Sequence, residues 1–404
     1  MKKIQGGVCA PLGYKANGVH CGIRKNKTKR DLSLIVSDVR AATACVYTQN
    51  LVKGAPIVVT KRHVADGYAQ AIVCNSGNAN TCNADGEQIA EGMCDLVSRY
   101  ASVASDDVIV ASTGVIGQPL SLNPIEEGMP QLVGGLSDMG SNYAAQGIMT
   151  TDTVSKEIAY SFTLDGHECK IGAIGKGVGM INPNMATMLI FVTTDAAISP
   201  TMLQKALSAD VKDSFNMVSV DGDTSTNDMV AVLANGLAGN SCISEVNKDY
   251  TVFRKALNKV TTWLCRQIAK DGEGATKLLE CKVSGAKSKA VAKTVAKSVI
   301  KSSLFKAAMF GADANWGRVL CAIGYSGADV DVSKVRVDFK SKSGELAVCR
   351  NGSGIPFSEE EAKKVLSEDE IEVLIGLGDG NGKATAWGCD LTYDYVKING
   401  DYRT

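Results

Sequence analysis

The chain is 404 residues long, 45% hydrophobic and 21% charged, with 43 basic residues against 43 acidic ones. That length points to two domains, or to one large domain with an appendage, and leaves ample apolar material for a core. The charge balance excludes a general nucleic-acid binder and polybasic attachment to a membrane surface. Apolar runs such as Met188 to Val192 are far too short to cross a bilayer.

In chain order, the N-terminal MKKIQGGVCAPLGY has two lysines but no apolar stretch behind them, so it is not a secretory signal. AQAIVC (69–74) reads as a buried strand. DGEQIAEGMCDLVSRY (85–100) reads as a helix with Ile89, Met93, Leu96, Val97 and Tyr100 on one stripe and Asp85 as cap. DDVIVAS resembles a strand, with Thr113-Gly114 as a tight turn after it. EIAYSFTL and HECKIGAI are joined by Asp165-Gly166, a two-residue hairpin signal. Gly172 to Gly179 reads as a loop, and Thr187 to Thr193 as a central strand, apolar on both faces.

Ser199-Pro200 opens another helix. SVDGDTSTND (219–228) reads as a polar loop between a short strand and an apolar helix. YTVFRKALNKVTTWLCRQIAK is a long amphipathic helix stopped by Asp271-Gly272. A lysine- and alanine-rich helix follows near 283–301, where Lys289, Lys293, Lys297 and Lys301 recur every four residues. That spacing predicts a solvated face rather than a basic binding face. Short strands (KVRVDF, GELAVC) and one helix (SEEEAKKVLS) complete the chain, and a domain boundary is placed near 280.

Thirteen cysteines include no CxxC pair, and several sit inside apolar runs, which reads as reduced, mostly buried thiols in a cytoplasmic protein. The three histidines, at 20, 63 and 167, lack ligand spacing, so no metal site is expected. GAIGKGVG fails as a phosphate loop because Gly177, not Ser or Thr, follows Lys176. DGDTSTND starts like a calcium loop, but Thr226 stands where the loop needs glycine and Val232 where it needs glutamate. A hydrogen-bonded turn is the better reading, and FGADANWGR (310–318) reads as a buried structural turn.

The segment KGVGMINPNMATMLIF (176–191) sets a lone threonine at the mouth of an apolar strand. A threonine hydroxyl becomes a useful nucleophile when its own α-amine can take the proton, which requires cutting the bond before it. Ala186 gives the small residue that a scissile bond needs, and Asn182-Pro183-Asn184 gives a constrained approach. The plainer alternative is a threonine that simply starts a strand.

KGVGMINPNMATML resembles the processing segment of the ornithine acetyltransferase family (glutamate N-acetyltransferase, ArgJ type). ASTGVIG (111–117), MTTDT (149–153), SVDGDTSTND, KDGEGATK (270–277), FGADANWGR and the terminal YVKINGDYRT resemble family motifs in the family's order, across nearly the whole chain. Ala314 departs from an expected proline. The resemblance implies self-cleavage between Ala186 and Thr187, into chains 1–186 and 187–404 that stay together, as α2β2. It implies Thr187 as nucleophile in moving an acetyl group from N2-acetylornithine to glutamate, within cyclic arginine biosynthesis. Thr113 and Gly114 match the oxyanion-stabilising pair, and Thr150, Lys176, Thr187, Glu273, Asn399 and Thr404 the substrate contacts. The backbone-satisfying reading stays open for Thr150 and Asn399. No resident cofactor is implied; acetyl-CoA is left open as a co-substrate. The implied fold is a layered α/β/β/α sandwich resembling N-terminal-nucleophile hydrolases with different connectivity, in a main domain (1–280), plus a smaller C-terminal α/β domain (281–404). A related self-processing aminopeptidase or amidohydrolase is the alternative function.

Overall fold

The computed structural model describes residues 1–182 and 188–400. Its strands in chain order are β1 (Lys2–Ile4), β2 (Tyr14–Val19), β3 (Leu32–Tyr47), β4 (Tyr68–Asn78), β5 (Val108–Val115), β6 (Lys156–Leu164), β7 (His167–Lys176), β8 (Leu189–Thr194), β9 (Val218–Ser219), β10 (Met229–Ala234), β11 (Leu278–Ala286), β12 (Arg336–Ser341), β13 (Gly344–Arg350), β14 (Ser353–Gly354), β15 (Glu370–Gly376) and β16 (Gly382–Cys389). Among the described residues they form two sheets. The first has nine strands in the order β1-β6-β7-β8-β10-β3-β4-β5, with β2 paired to β3; the second has seven, ordered β14-β13-β12-β15-β11-β16-β9.

The first sheet doubles over at β3. The first half of this long strand pairs with β2 and its second half with β10, and its register to β4 slips between Val36 and Ala41, around the exposed Asp38–Arg40. Strand periodicity then sorts side chains to two faces. Leu189, Phe191, Met229 and Ala231 pack with Ile35, Ile72, Cys74, Ile109 and Ala111 between the two halves. The alternate residues Ile190, Val192, Val230 and Val232 share a core with the helices Pro200–Asp210 and Lys248–Lys270. On the far side, Ala71, Val73, Val108 and Val110 pack with the helices Ala55–His63, Gly86–Ala101 and Asn123–Gly134. The result is a helix/sheet/sheet/helix sandwich. Helix Lys248–Lys270 also touches β11 and β16, so one core runs on into the second sheet. Residue 280 falls inside β11.

The expected hairpin is β6–β7, with Asp165 and Gly166 at φ 46° and 80°, as a two-residue turn of this hand requires. Ser199 caps its helix by accepting from Met202 N. Other expectations need correction. Residues 229–234 form strand β10, not an apolar helix; six apolar residues carry no period, and pairing with both β8 and β3 decides the outcome. Gly172 and Gly175 lie within β7 rather than in a loop. A Cβ on Gly172 would stand 1.7 Å from Gly7 O, so this glycine serves close packing. Thr113-Gly114 ends β5 itself instead of turning after it. The lysine-rich helix begins at Lys289, since 283–286 belong to β11. Its basic face is not freely solvated: Lys289 and Lys293 pair with Asp213, and Lys297 donates to Asn216 O and Val218 O, both at 2.7 Å. FGADANWGR is a partly exposed joint between two helices, with Asn315 capping the second by accepting from Arg318 N. No helix among the described residues is long and apolar enough to span a membrane.

Candidate active site

Strands β7, β8 and β10 run side by side, and β5 ends on the facing layer. Where they end, a cavity of about 300 Å³ opens. Its lining includes Thr113, Gly114, Thr150, Lys176, Glu273 and Asn399, together with Met188 and Leu189, the first residues described after the segment that holds Ala186 and Thr187. Those two residues and Thr404 lie outside the described residues, so six of the expected site positions can be placed, and all six meet at one cavity.

Local folding explains how each arrives. Lys176 closes β7 opposite Leu189. Its Nζ donates to Thr113 Oγ1 at 3.3 Å across the two layers. Gly114, at φ 133°, sits where a Cβ would come within 2.3 Å of Gly77 C; only glycine permits that close approach to the β4 backbone. Thr150 N donates to Asp152 Oδ2 at 3.0 Å, and the loop it belongs to is tied down by Lys156, whose Nζ reaches Asp152 Oδ1 at 2.8 Å and Asp271 Oδ2 at 2.5 Å. Glu273 follows the end of helix Lys248–Lys270, anchored by its N–H on Val178 O. Its Oε1 accepts from Thr151 Oγ1 and its Oε2 from Asn399 Nδ2, each at 2.7 Å. Asn399 therefore orients Glu273 and also donates to Tyr395 O at 3.1 Å.

The approach to the expected cut is clamped from the far side of it. Met180 N and Ile181 N donate to Asp221 at 2.6 and 2.9 Å, Val220 N donates to Ile181 O at 2.7 Å, and Asn182 exchanges bonds with Gly222 O and Thr224 Oγ1.

Charge in the cavity is finely divided. Burial lowers the Lys176 ammonium below the usual lysine range, with Asp152 and Asp228 opposing the shift. Burial raises Asp152, but Lys156 and Lys176 outweigh it and the net shift is downward, which keeps it ionised. Asp228, 3% exposed, is pushed well above the usual carboxyl range by burial, against the Ser225 hydroxyl and Lys176. Its Oδ2 has no hydrogen-bond partner among the described residues. The site thus offers one cation for an anionic group and, in Glu273, a carboxyl group with no ion-pair partner among the described residues.

Sequence reasoning did not single out Thr151, Asp152 or Asp228, and met Asn227 only as an oxygen of the rejected calcium loop. MTTDT and DGDTSTND were read as motifs, but only the fold brings Thr151 to Glu273, Asp152 to Gly177, and Asn227 to residues 79–81 and 112. The one local signal was a block of short polar side chains abutting an apolar run.

Against known proteins, the ArgJ family model matches residues 15–404. The arginine biosynthesis bifunctional protein ArgJ 1 of Clostridium acetobutylicum is 50% identical over 97% of this chain and 96% of its own. The arginine biosynthesis bifunctional protein ArgJ of Caldanaerobacter subterraneus subsp. tengcongensis is 47% identical over the full length of both. Among solved structures, the arginine biosynthesis bifunctional protein ArgJ of Bacillus halodurans is 49% identical with a TM-score of 0.50, and 52% of this chain covers 97% of that one.

Proposed function

The chain belongs to the ArgJ family, and we propose that it is a self-processing acetyltransferase that moves the acetyl group of N2-acetylornithine to glutamate through an ester on Thr187. The observation that carries this reading is the cavity itself, where Thr113, Gly114, Thr150, Lys176, Glu273 and Asn399 gather beside the strand that starts just after Thr187.

In this reading the Thr187 hydroxyl first attacks the Ala186 carbonyl, an N-to-O shift leaves an ester and a free amine, and water opens the ester. The clamp on Met180–Asn182 supports it, because it steadies the approaching peptide. So does length: the solved Bacillus halodurans chain corresponds to about half of this one, the relation expected of one product of a central cut.

In transfer, the Thr187 α-amine takes the hydroxyl proton as Oγ attacks the acetyl carbonyl. Negative charge develops on the carbonyl oxygen, to be met by the Thr113 hydroxyl and the Gly114 N–H. Lys176 donates to Thr113 Oγ1, which leaves that hydroxyl's own proton free to point at the oxyanion. Collapse expels the ornithine amine, which gains the proton. The amine of glutamate then attacks the acetyl-Thr187 ester and restores the hydroxyl. Lys176 holds a substrate carboxylate, and Glu273, fixed by Thr151 and Asn399, receives the ornithine side-chain ammonium. Thr150 and Thr404 complete the substrate contacts.

The relatives' shared word "bifunctional" supports a second activity, for which acetyl-CoA as acetyl donor to glutamate is our assignment; no resident cofactor takes part. The reading also includes an α2β2 assembly in the cytoplasm. It divides the chain at about 280 into a main and a C-terminal domain; the support is that six of the second sheet's seven strands start at residue 278 or later, with β9 (Val218–Ser219) joining them from the main part. Acetyl transfer should be measured from acetylornithine and from acetyl-CoA to glutamate, beside release to water, with N-terminal sequencing of the denatured chains. A second chain beginning Thr-Met-Leu and transfer faster than hydrolysis are expected. Hydrolysis without transfer would instead mark a self-processing amidohydrolase, and a chain that stays intact would remove the covalent scheme.

A further inference from the structure

Asn227 lies just before β10, is 7% exposed, and has all four bonding positions of its side chain filled. Nδ2 donates to Ala79 O at 2.6 Å and to Ser112 O at 3.0 Å, while Oδ1 accepts from Thr81 Oγ1 at 2.6 Å and Thr226 Oγ1 at 2.5 Å. The orientation of the amide is fixed by chemistry: carbonyl oxygens only accept, so the NH₂ side must face Ala79 and Ser112. Room for it exists because residue 54 is glycine; a Cβ there would stand 2.5 Å from Nδ2.

With its four positions satisfied inside the protein, this amide has nothing left to offer a ligand. It grips the two strand ends that hold the Thr113–Gly114 step. Ser112 O belongs to the peptide plane that runs into Thr113, and a rigid plane passes its orientation on to the next residue. Ala79 follows Gly77 and Asn78, the residues packed against Gly114, and its own N–H donates to Val115 O at 2.9 Å.

We propose that Asn227 is a positioning residue for the oxyanion pocket: its carboxamide, from the C-terminal side of the cut, aims the Thr113 hydroxyl and Gly114 N–H on the N-terminal side. The inference rests on the reading of Thr113 and Gly114 as oxyanion donors. A gap of about an ångström at such donors costs rate rather than binding, since the charge they meet exists only in the transition state.

The test is Asn227→Asp in the full, self-processed protein, assayed for acetyl transfer to glutamate. The carboxylate keeps the shape and both hydroxyl bonds but sets an oxygen against each carbonyl. We expect kcat to fall about 100-fold with KM for acetylornithine within about threefold, because Lys176 and Glu273 are untouched. Thr81→Val removes one hydroxyl bond and leaves both amide N–H bonds, so its kcat stays within about threefold of the unaltered protein. Gly54→Ala, which displaces the amide from behind, gives the same kcat-selective loss and serves if Asn227→Asp does not mature. Undiminished kcat in Asn227→Asp, or in Gly54→Ala where that must stand in, overturns the proposal, as does an equal kcat loss in Thr81→Val, which would make the cluster merely structural. Failure of the unaltered protein to transfer acetyl at all would defeat the functional reading instead.

Discussion

On one wall of the cavity, around residues 79, 112–114 and 226–227, Asn227 spends its whole bonding capacity within the protein. Elsewhere in the lining, among the described residues, Asp228 Oδ2 has no partner, Glu273 has no cation paired with it, and Lys176 Nζ touches one neutral hydroxyl. A saturated wall has one geometry available and can only position. An unsaturated wall keeps its affinity for a visitor. Asn227 and Asp228 are adjacent in sequence, just before β10, so a single peptide bond separates the two behaviours.

The sharpest way to break the comparison is to disturb the saturated wall. Gly114→Ala forces a Cβ to within 2.3 Å of Gly77 C at φ 133°. It should cost roughly 2–5 kcal/mol of stability, read as a shift in denaturant midpoint, and abolish transfer. On the open wall, Glu273→Gln should leave the fold intact and raise KM for acetylornithine more than that for glutamate. Losing a charge-assisted contact costs about 1.5–3 kcal/mol, or roughly ten- to a hundredfold in binding. An equal effect on both substrates would make Glu273 structural.

The cation sharpens the contrast through pH. Burial holds Lys176 below the usual 10.5, and only its charged form binds a carboxylate. KM should therefore climb as pH rises through that lowered value, at up to about tenfold per unit, and the climb should vanish in Lys176→Arg, which stays charged. The sign for stability runs the other way. With the folded value below the unfolded one, the unfolded chain holds more protons in that window, so the stability contribution of Lys176 rises with pH up to 10.5. The smallest effect is expected from Thr151→Val. It removes one of the two hydrogen bonds on Glu273, worth about 0.5–1.5 kcal/mol, so KM for acetylornithine should rise about two- to tenfold with glutamate little changed.

Elements that carry their own punctuation were legible in the sequence: the hairpin at Asp165-Gly166, the helix begun by Ser199-Pro200, and the long helix that ends at Asp271. β10 was not, because MVAVLA suits a buried helix as well as a strand and only its neighbours decide. β3 went unread because its halves belong to different layers and break the alternation at Asp38–Arg40. The six described site positions came from motif resemblance, and the cavity brings them together. Asn227 was dismissed with a failed calcium loop, since three of its four partners lie some 115 to 148 residues away and no local pattern records them.

The strand order has a consequence for the proposed cut before Thr187. β8 and β10 lie between β7 and β3, so the later piece is inlaid in the middle of the earlier piece's sheet, with a seam on each side. Neither seam can open without dismantling that sheet, so the two products of cleavage have no folded state in which they are merely apart. Dilution would leave them joined. After full denaturation, the uncut chain would refold by a first-order process, whereas the cut protein would need an encounter between two chains, and its recovery would depend on concentration.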